Sequence, residues 1–301
     1  MKNREVGIWM YHNGGGKDIE KKIVDQLKER EIGVKTDLNL YFSNGSRNGI
    51  ICNDINMLEL DLFFSYNAGE QTKAQTYMYE TIDTYIPTIN IYKAFALSED
   101  KFRSNIALSN AGIVTTDFFL CNRDENEHLF DKFKEWKKLV FKPIDGWGGS
   151  GMALLESCQS LNSLMPFLNR TDIQHIYLEK FIDNDFTDFR IDIVGGEFIS
   201  CYGRKAHERE WRTNISRGGS ILLREANDEV IDIAKKATEV LGLDIAGVDI
   251  IYDLEKEEYV VLEVNGIPAF ATPEQEKMGL DFNDKKIKKI VDLIDSRTNL
   301  K

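Results

Sequence analysis

Two runs, Val248-Asp249-Ile250-Ile251-Tyr252-Asp253 and Tyr259-Val260-Val261-Leu262-Glu263-Val264-Asn265, decide how this chain is read. Both are rich in Val, Ile and Tyr, and the charged stretch Leu254-Glu255-Lys256-Glu257-Glu258 separates them, so they are expected to form two antiparallel strands around a short turn. With the turn centred on Lys256, Asp249 stands directly opposite Glu263. Side chains alternate along a strand, so Glu263 and Asn265 share a face with Asp249. Two carboxylates and an amide then converge, which is the kind of donor set Mg²⁺ takes before water and phosphate complete its shell. A solvated sheet face would carry the same residues, and the choice between the two falls to the rest of the chain.

The 301 residues are 42% hydrophobic and 29% charged, the balance of a soluble globular protein with room for two or three lobes. A net charge of −12 argues against a broad nucleic-acid or anionic-membrane surface, because both need clustered Lys and Arg. Any phosphate site must be local. No run of about 18 apolar residues occurs, and the opening stretch Met1 to Trp9 reads as a first strand rather than a signal peptide, so a cytoplasmic protein is expected. Cysteines 52, 121, 158 and 201 form no C-x-x-C pair, and the four histidines show no ligand spacing. Reduced thiols are expected, and zinc chemistry is not.

Alternating β/α character over the first ninety residues predicts strands at Val6–Met10 and Leu60–Ser65 and a helix from Asp18 to Arg30. A helix is expected from Ser98 as N-cap to Gly112, then an extended Val114–Leu120. Leu139–Lys142 and Met152–Leu155 flank a glycine-rich loop, Asp145-Gly146-Trp147-Gly148-Gly149-Ser150-Gly151. This strand–loop–strand order excludes a P-loop, whose glycines open a helix. A third lobe is expected from Ile176, with a hairpin of Asp188–Val194 and Glu197–Arg204 around Gly195-Gly196. Residues 228–241 fit an amphipathic helix with Asn227 as N-cap and Gly242 as C-cap, and 284–296 fit another that packs back on the body.

Lys142 beside four glycines could let a backbone loop approach phosphate, or the loop could be a plain hairpin connection. Asn13-Gly14-Gly15-Gly16-Lys17 offers the same choice between a ligand loop and a turn. Glu179-Lys180-Phe181-Ile182 suits an adenine edge, a linker between lobes, or both. Arg190, Arg204, Lys205, Arg209, Arg212 and Arg217 concentrate positive charge within an acidic chain, as a solvated loop or as an anion-binding lid.

Taken in order, Ser98-Glu99-Asp100-Lys101, Val140-Phe141-Lys142-Pro143, Gly146 to Gly151, Tyr177 to Ile182, Asp188-Phe189-Arg190, Arg212-Thr213-Asn214, Gly247-Val248-Asp249 and Glu263-Val264-Asn265 resemble the ATP-grasp superfamily, in its RimK-like branch of carboxylate–amine ligases. The resemblance implies an α/β ATP-grasp fold with an N-terminal β/α domain (1–95), a central lobe with the glycine-rich loop (96–175) and a C-terminal lobe with the Mg²⁺ site (176–301). It implies that Lys101, Lys142, Gly148, Gly149, Ser150 and Gly151 meet phosphate, that Glu179, Lys180, Phe181 and Ile182 meet adenine, and that Asp188 meets the ribose. Arg212, Thr213 and Asn214 would grip the triphosphate, Arg204 and Arg190 would stabilise charge on the carboxylate side, and Asp249, Glu263 and Asn265 would hold Mg²⁺ or Mn²⁺.

The implied reaction joins a carboxylate to an amine with ATP through an acylphosphate, releasing ADP and phosphate and adding an amino acid such as glutamate to a small molecule or peptide. A phosphotransferase, a peptide macrocyclase and a non-catalytic nucleotide-binding module are the other readings. A homo-oligomer is compatible with all of them. Two departures from the family pattern bear on substrate choice: Trp147 is expected to cover the phosphates, and Ile267 and Phe270 to line an acceptor pocket.

Overall fold

The computed structural model describes residues 4–67, 71–124, 127–144 and 148–299. Its N-terminal part runs β1 (Arg4–Met10), α1 (Gly16–Glu29), β2 (Ile32–Lys35), β3 (Asn44–Ser46), β4 (Gly49–Cys52), β5 (Ile55–Asn56), β6 (Leu62–Tyr66), α2 (Lys73–Tyr85) and β7 (Thr88–Ile89). Strands β1, β2, β6 and β7 form a parallel sheet in the order β2-β1-β6-β7, while β3 to β5 make a small antiparallel sheet beside it. Val6, Ile8 and Met10 pack on Ile19, Ile23 and Leu27 of α1, as period-2 and period-3.6 apolar spacing dictate. Of the glycines in the Asn13–Lys17 loop, Gly15 caps α1 at φ 89°, and a Cβ on Gly16 would lie 2.2 Å from the Tyr11 carbonyl oxygen. Those glycines close a tight strand–helix turn that faces Thr272 and Pro273.

Two helices follow, α3 (Tyr92–Ser98) and α4 (Lys101–Asn110). Ser98 therefore ends one helix instead of capping the next; Asp100 is the cap, its carboxylate accepting from the Arg103 amide at 2.9 Å. The chain continues through β8 (Phe118–Asn122), α5 (Glu127–Trp136), β9 (Leu139–Lys142), β10 (Ala153–Leu155), α6 (Cys158–Leu168) and β11 (His175–Lys180). These strands form an antiparallel sheet, β10-β9-β11-β8, backed by Leu129, Phe133, Leu161 and Leu168 of the two helices.

Strand β11 lies between β9 and β8, so the expected boundary at residue 175 moves to the end of Lys180. The boundary at residue 96 moves as well. Ala94, Leu108 and Ile113 join the hydrophobic core of the C-terminal lobe, and Val114 accepts from the Val261 amide at 2.9 Å. The central lobe is therefore 118–180, since the burial of α4 fixes where that helix belongs.

The C-terminal lobe comprises β12 (Thr187–Val194), β13 (Glu197–Lys205), β14 (Ser220–Leu222), α7 (Asp228–Leu241), β15 (Ile245–Asp253), β16 (Glu258–Asn265), α8 (Pro273–Lys277) and α9 (Asn283–Thr298). Its sheet order is β14-β13-β12-β15-β16. Asn227 caps α7 by accepting from the Val230 amide, and Gly242 ends it at φ 73°. Ile287, Ile290, Val291 and Ile294 of α9 return to the N-terminal core against α1. Asn90 ties the same two parts together: its amide donates to Ile245 O (2.9 Å) and Gly266 O (2.7 Å), and its oxygen accepts from the Asp244 and Ile245 amides. The hairpin β15–β16 is thus held from behind as well as within its sheet.

Candidate active site

The turn of the β15–β16 hairpin occupies residues 254–257, which sets Tyr252 opposite Tyr259 and Ile250 opposite Val261. A regular ladder would then place Leu262 opposite Asp249. A β-bulge at Leu262 shifts the register, so Asp249 pairs with Glu263 and Gly247 with Asn265. The expected pairing is present, but through a bulge and not through a turn centred on Lys256. The bulge also lets Leu262 and Glu263, consecutive in sequence, border the same cavity.

Asp249 is nearly fully buried and accepts from Arg190 Nη1 at 2.7 Å and pairs with Arg204 Nη2 at 2.8 Å. Burial alone would raise its pKa, yet the two guanidinium groups outweigh that and hold it below the usual carboxylate range. Asp188 shares Arg204, which donates from Nε at 3.0 Å and Nη2 at 2.6 Å, and accepts from Thr213 as well; here burial wins and its pKa rises. Both of its carboxylate oxygens are engaged by Arg204 and Thr213, so in this arrangement Asp188 orients Arg204 rather than reaching toward a ribose.

On the cleft side of the hairpin, Glu263 pairs with Lys101 at 3.3 Å. Asn265 Nδ2 faces Gly247 O at 3.5 Å, which leaves its carbonyl oxygen as the group for a cation. Among the described residues no three His, Cys, Asp or Glu side chains gather as a metal cluster. Asp249 gives both oxygens to Arg190 and Arg204, and Glu263 pairs with Lys101, so this set of two carboxylates and an amide oxygen would fit Mg²⁺ or Mn²⁺ once those cations yield the carboxylates to a metal that takes part of its shell from nucleotide.

A slot between the central and C-terminal sheets is lined by Val140 and Met152 on one side, Ile251 and Leu262 on the other, and Lys180, Phe181 and Ile182 at its edge. The Lys180 and Phe181 amides bond Asp117 O (2.8 Å) and Lys138 O (3.0 Å). Among the described residues no backbone acceptor takes the Ile182 amide. Glu179 is buried and pairs with Lys142, and Tyr177 donates to its other oxygen at 3.0 Å. Glu179 therefore orients the lysine.

Gly148, Gly149 and Gly151 take φ of 64°, 70° and 70°, a conformation open to glycine. A Cβ on Gly149 would lie 2.7 Å from Asn214 Oδ1. Arg212 donates to Gly149 O at 2.9 Å and Ser216 to Gly148 O at 3.0 Å, so the glycine loop and the 210–217 segment close over the cleft together. Glu210 clamps Arg212 from behind, and the hydrogen bonds from Arg212 draw Glu210 down to about 2. Ser150 is exposed and borders neither the slot nor the cavity that Lys101 and Lys142 line, nor does Gly151. The roles expected of Gly146 and Trp147 lie outside the described residues.

A second cavity of about 270 Å³ adjoins the hairpin and is lined by Arg190, Arg204, Asp249, Glu263 and Asn265, with Phe95, Ile267 and Ala269 as an apolar wall and Glu99 at its edge. Ile267 is there as expected. Phe270 is not: it is buried in the N-terminal core, 5.7 Å from the ring of Tyr66. Glu99 is open to this cleft, and burial of its surroundings, followed by the nearby Glu263 carboxylate, pushes it up to about 7.

Several participants were absent from the sequence expectations. Trp211 and Leu262 line the slot between the two sheets. Lys286, wholly buried, donates to Asp192 (2.8 Å), Pro268 O (2.8 Å) and Ala269 O (3.1 Å), pinning the segment that follows Asn265. The alternation Asp188-x-Arg190-x-Asp192 along one strand was the available signal for the last group.

A glycine hairpin closing over a slot whose far wall carries two carboxylates and an amide is the architecture of an ATP-grasp enzyme. Residues 98–291 match the RimK-like ATP-grasp domain, and the chain belongs to that family. Its relatives include the tetrahydromethanopterin:alpha-L-glutamate ligase of Methanocaldococcus jannaschii, 29% identical over 246 residues that cover 79% of this chain and 81% of that protein. The ribosomal protein bS6–L-glutamate ligase of Shigella boydii is 29% identical, covering 70% of this chain and 68% of its own. In fold, the chain is similar to the ATP-grasp ligase PsnB complexed with a minimal precursor, Mg and ADP, at a TM-score of 0.69 and 15% identity over 99% of both chains. The protein is an ATP-dependent carboxylate–amine ligase.

Proposed function

We propose that this ligase adds an α-amino acid, glutamate being the first candidate, to a carboxylate carried by a small molecule or peptide, in the cytoplasm where ATP is abundant. Support for glutamate comes from the two relatives named above, which act on different acceptors. In this reading the slot between the sheets takes adenine, with the Ile182 amide free to donate to the ring. Lys101 and Lys142 contact phosphate, and Arg212, Thr213 and Asn214 hold the glycine loop down on it. Asp249, Glu263 and Asn265 hold Mg²⁺, which when bound neutralises charge on the transferring phosphoryl group.

The substrate carboxylate attacks the terminal phosphorus of ATP, forming an acylphosphate and ADP. The amine, having lost its ammonium proton to water, then attacks the carbonyl carbon, the C–O bond to phosphate breaks, and its second proton leaves with the phosphate as the amide is released. Arg204 faces the cavity beside Asp249 and stabilises the charge that builds on the carboxylate oxygens, with Arg190 next to it. No side-chain nucleophile is needed. The observation that carries the reading is that one cavity gathers Asp249, Glu263, Asn265, Arg190 and Arg204, while Lys101 and Lys142 border the adjoining one.

Purified protein given ATP, Mg²⁺, L-glutamate and a panel of carboxylates should release ADP only when a carboxylate and an amine are both present. Release of AMP, or phosphorylation that needs no amine and leaves a stable phosphate ester, would contradict it.

A further inference from the structure

The cavity that adjoins the metal face is almost balanced in charge. Asp249 is matched by Arg190 and Arg204, and Glu263 by Lys101. Glu99 is the exception. Among the described residues its carboxylate has no hydrogen-bond or ion-pair partner, although it lines the same space as four charged groups of the ladder and hairpin. Its placement is fixed. Glu99 is the C-cap of α3, its amide bonds Phe95 O at 3.1 Å, and the next residue, Asp100, is the N-cap of α4. The backbone of this two-residue corner keeps its position while both helices hold, so the Glu99 side chain starts from a fixed point at the cavity edge. Beside it stand Phe95, Ile267 and Ala269, a wall for the carbon skeleton of an organic substrate.

An ammonium group beside Glu99 favours its ionised form and gains a charge-assisted hydrogen bond. The reacting groups of the two substrates differ here: a carboxylate is repelled by Glu99, whereas an amine arrives at neutral pH as an ammonium ion, which Glu99 attracts. We propose that Glu99 is the specificity-determining residue for the amine substrate, seating its ammonium group at the edge of the cavity with the substrate's carbon chain against Phe95, Ile267 and Ala269. The inference rests on the ligase function proposed above and adds which residue reads the amine.

Because the amine is unidentified, the experiment first screens the twenty amino acids as amines with the wild-type enzyme, and in parallel uses hydroxylamine, which is largely uncharged at neutral pH and traps an activated carboxylate as a hydroxamate. Wild type and Glu99→Gln are then compared with the best amine. The expected result is a KM for that amine raised about tenfold or more, the loss of one charge-assisted hydrogen bond. The KM for ATP should follow wild type, and Glu99→Asp should recover part of the loss. An unchanged amine KM overturns the proposal. So does a raised Mg²⁺ requirement with the amine KM unaltered, which would make Glu99 a contributor to the metal site. If wild type forms no hydroxamate with any carboxylate, the ligase reading itself fails and the proposal falls with it, a result distinct from the other two.

Discussion

Strand β12 has two faces with opposite chemistry. On one, Phe189, Ile191 and Ile193 pack against Val230, Ala234, Ala237 and Leu241 of α7 in an apolar core. On the other, Asp188, Arg190 and Asp192 are equally buried, and they join Arg204, Asp249 and Lys286 in a chain of three cations and three anions. The first face stabilises by removing apolar area from water, at roughly 25 cal/mol per Å². The second gains little net stability, because desolvation offsets most of the attraction between buried ions. What it provides is orientation: Arg204 and Asp249 meet the cleft at fixed angles because Asp188, Arg190 and Asp192 hold them from behind. The difference teaches that burial on one side of this sheet serves folding and on the other serves the site.

That comparison can be broken by experiment. Arg190→Met leaves Asp249 and Asp192 short of a partner and should destabilise the protein by about 3–5 kcal/mol in denaturant unfolding, with a raised requirement for Mg²⁺ in the fraction that stays folded. Ile191→Ala, one residue along on the apolar face, should lower stability by about 2–5 kcal/mol while the KM for ATP and the Mg²⁺ dependence follow wild type below the melting transition. If both variants shift the nucleotide parameters alike, the two faces are not functionally distinct.

Lys286→Met removes the far end of the ionic chain. The double variant Lys286→Met/Asp192→Leu should recover stability relative to the single change, with a coupling of about 0.5–3 kcal/mol measured by a double-mutant cycle. Simple additivity would show that the pair is not coupled. Smallest is Asn227→Ala at the cap of α7, expected to cost about 1 kcal/mol and to leave ligase kinetics alone.

Much of this architecture was legible in the residues. Helix α7 could be bounded at both ends because Asn227 and Gly242 are local signals whose physics needs no tertiary partner. Glu263 and Asn265 share a face by alternation alone. The register that brings Asp249 opposite Glu263 was less secure: it depends on a bulge at Leu262, and a bulge is set by cross-strand packing and not by the residues of the turn. Strand β11 was assigned to the wrong lobe because an apolar run does not state its neighbours, and only its pairing with β8 and β9 reveals them. The division between α3 and α4 hid behind Ser98, a good capping residue in the wrong place, two residues before the Asp100 that caps. Lys286 carried no signal of its own in the sequence; it is wholly buried because Asp192 and two backbone carbonyls face it across 17 to 94 residues of chain that no local pattern links.

The central claim is that the cleft face of this sheet is a metal and phosphate site for an amide-forming reaction. Its most direct test is the Mg²⁺ dependence of ADP release in Glu263→Gln, a change that keeps size and hydrogen bonding but removes one ligand charge. The account predicts a loss of turnover of at least about 100-fold, with the folded state retained by circular dichroism. Wild-type ADP release at wild-type Mg²⁺ concentration would contradict it.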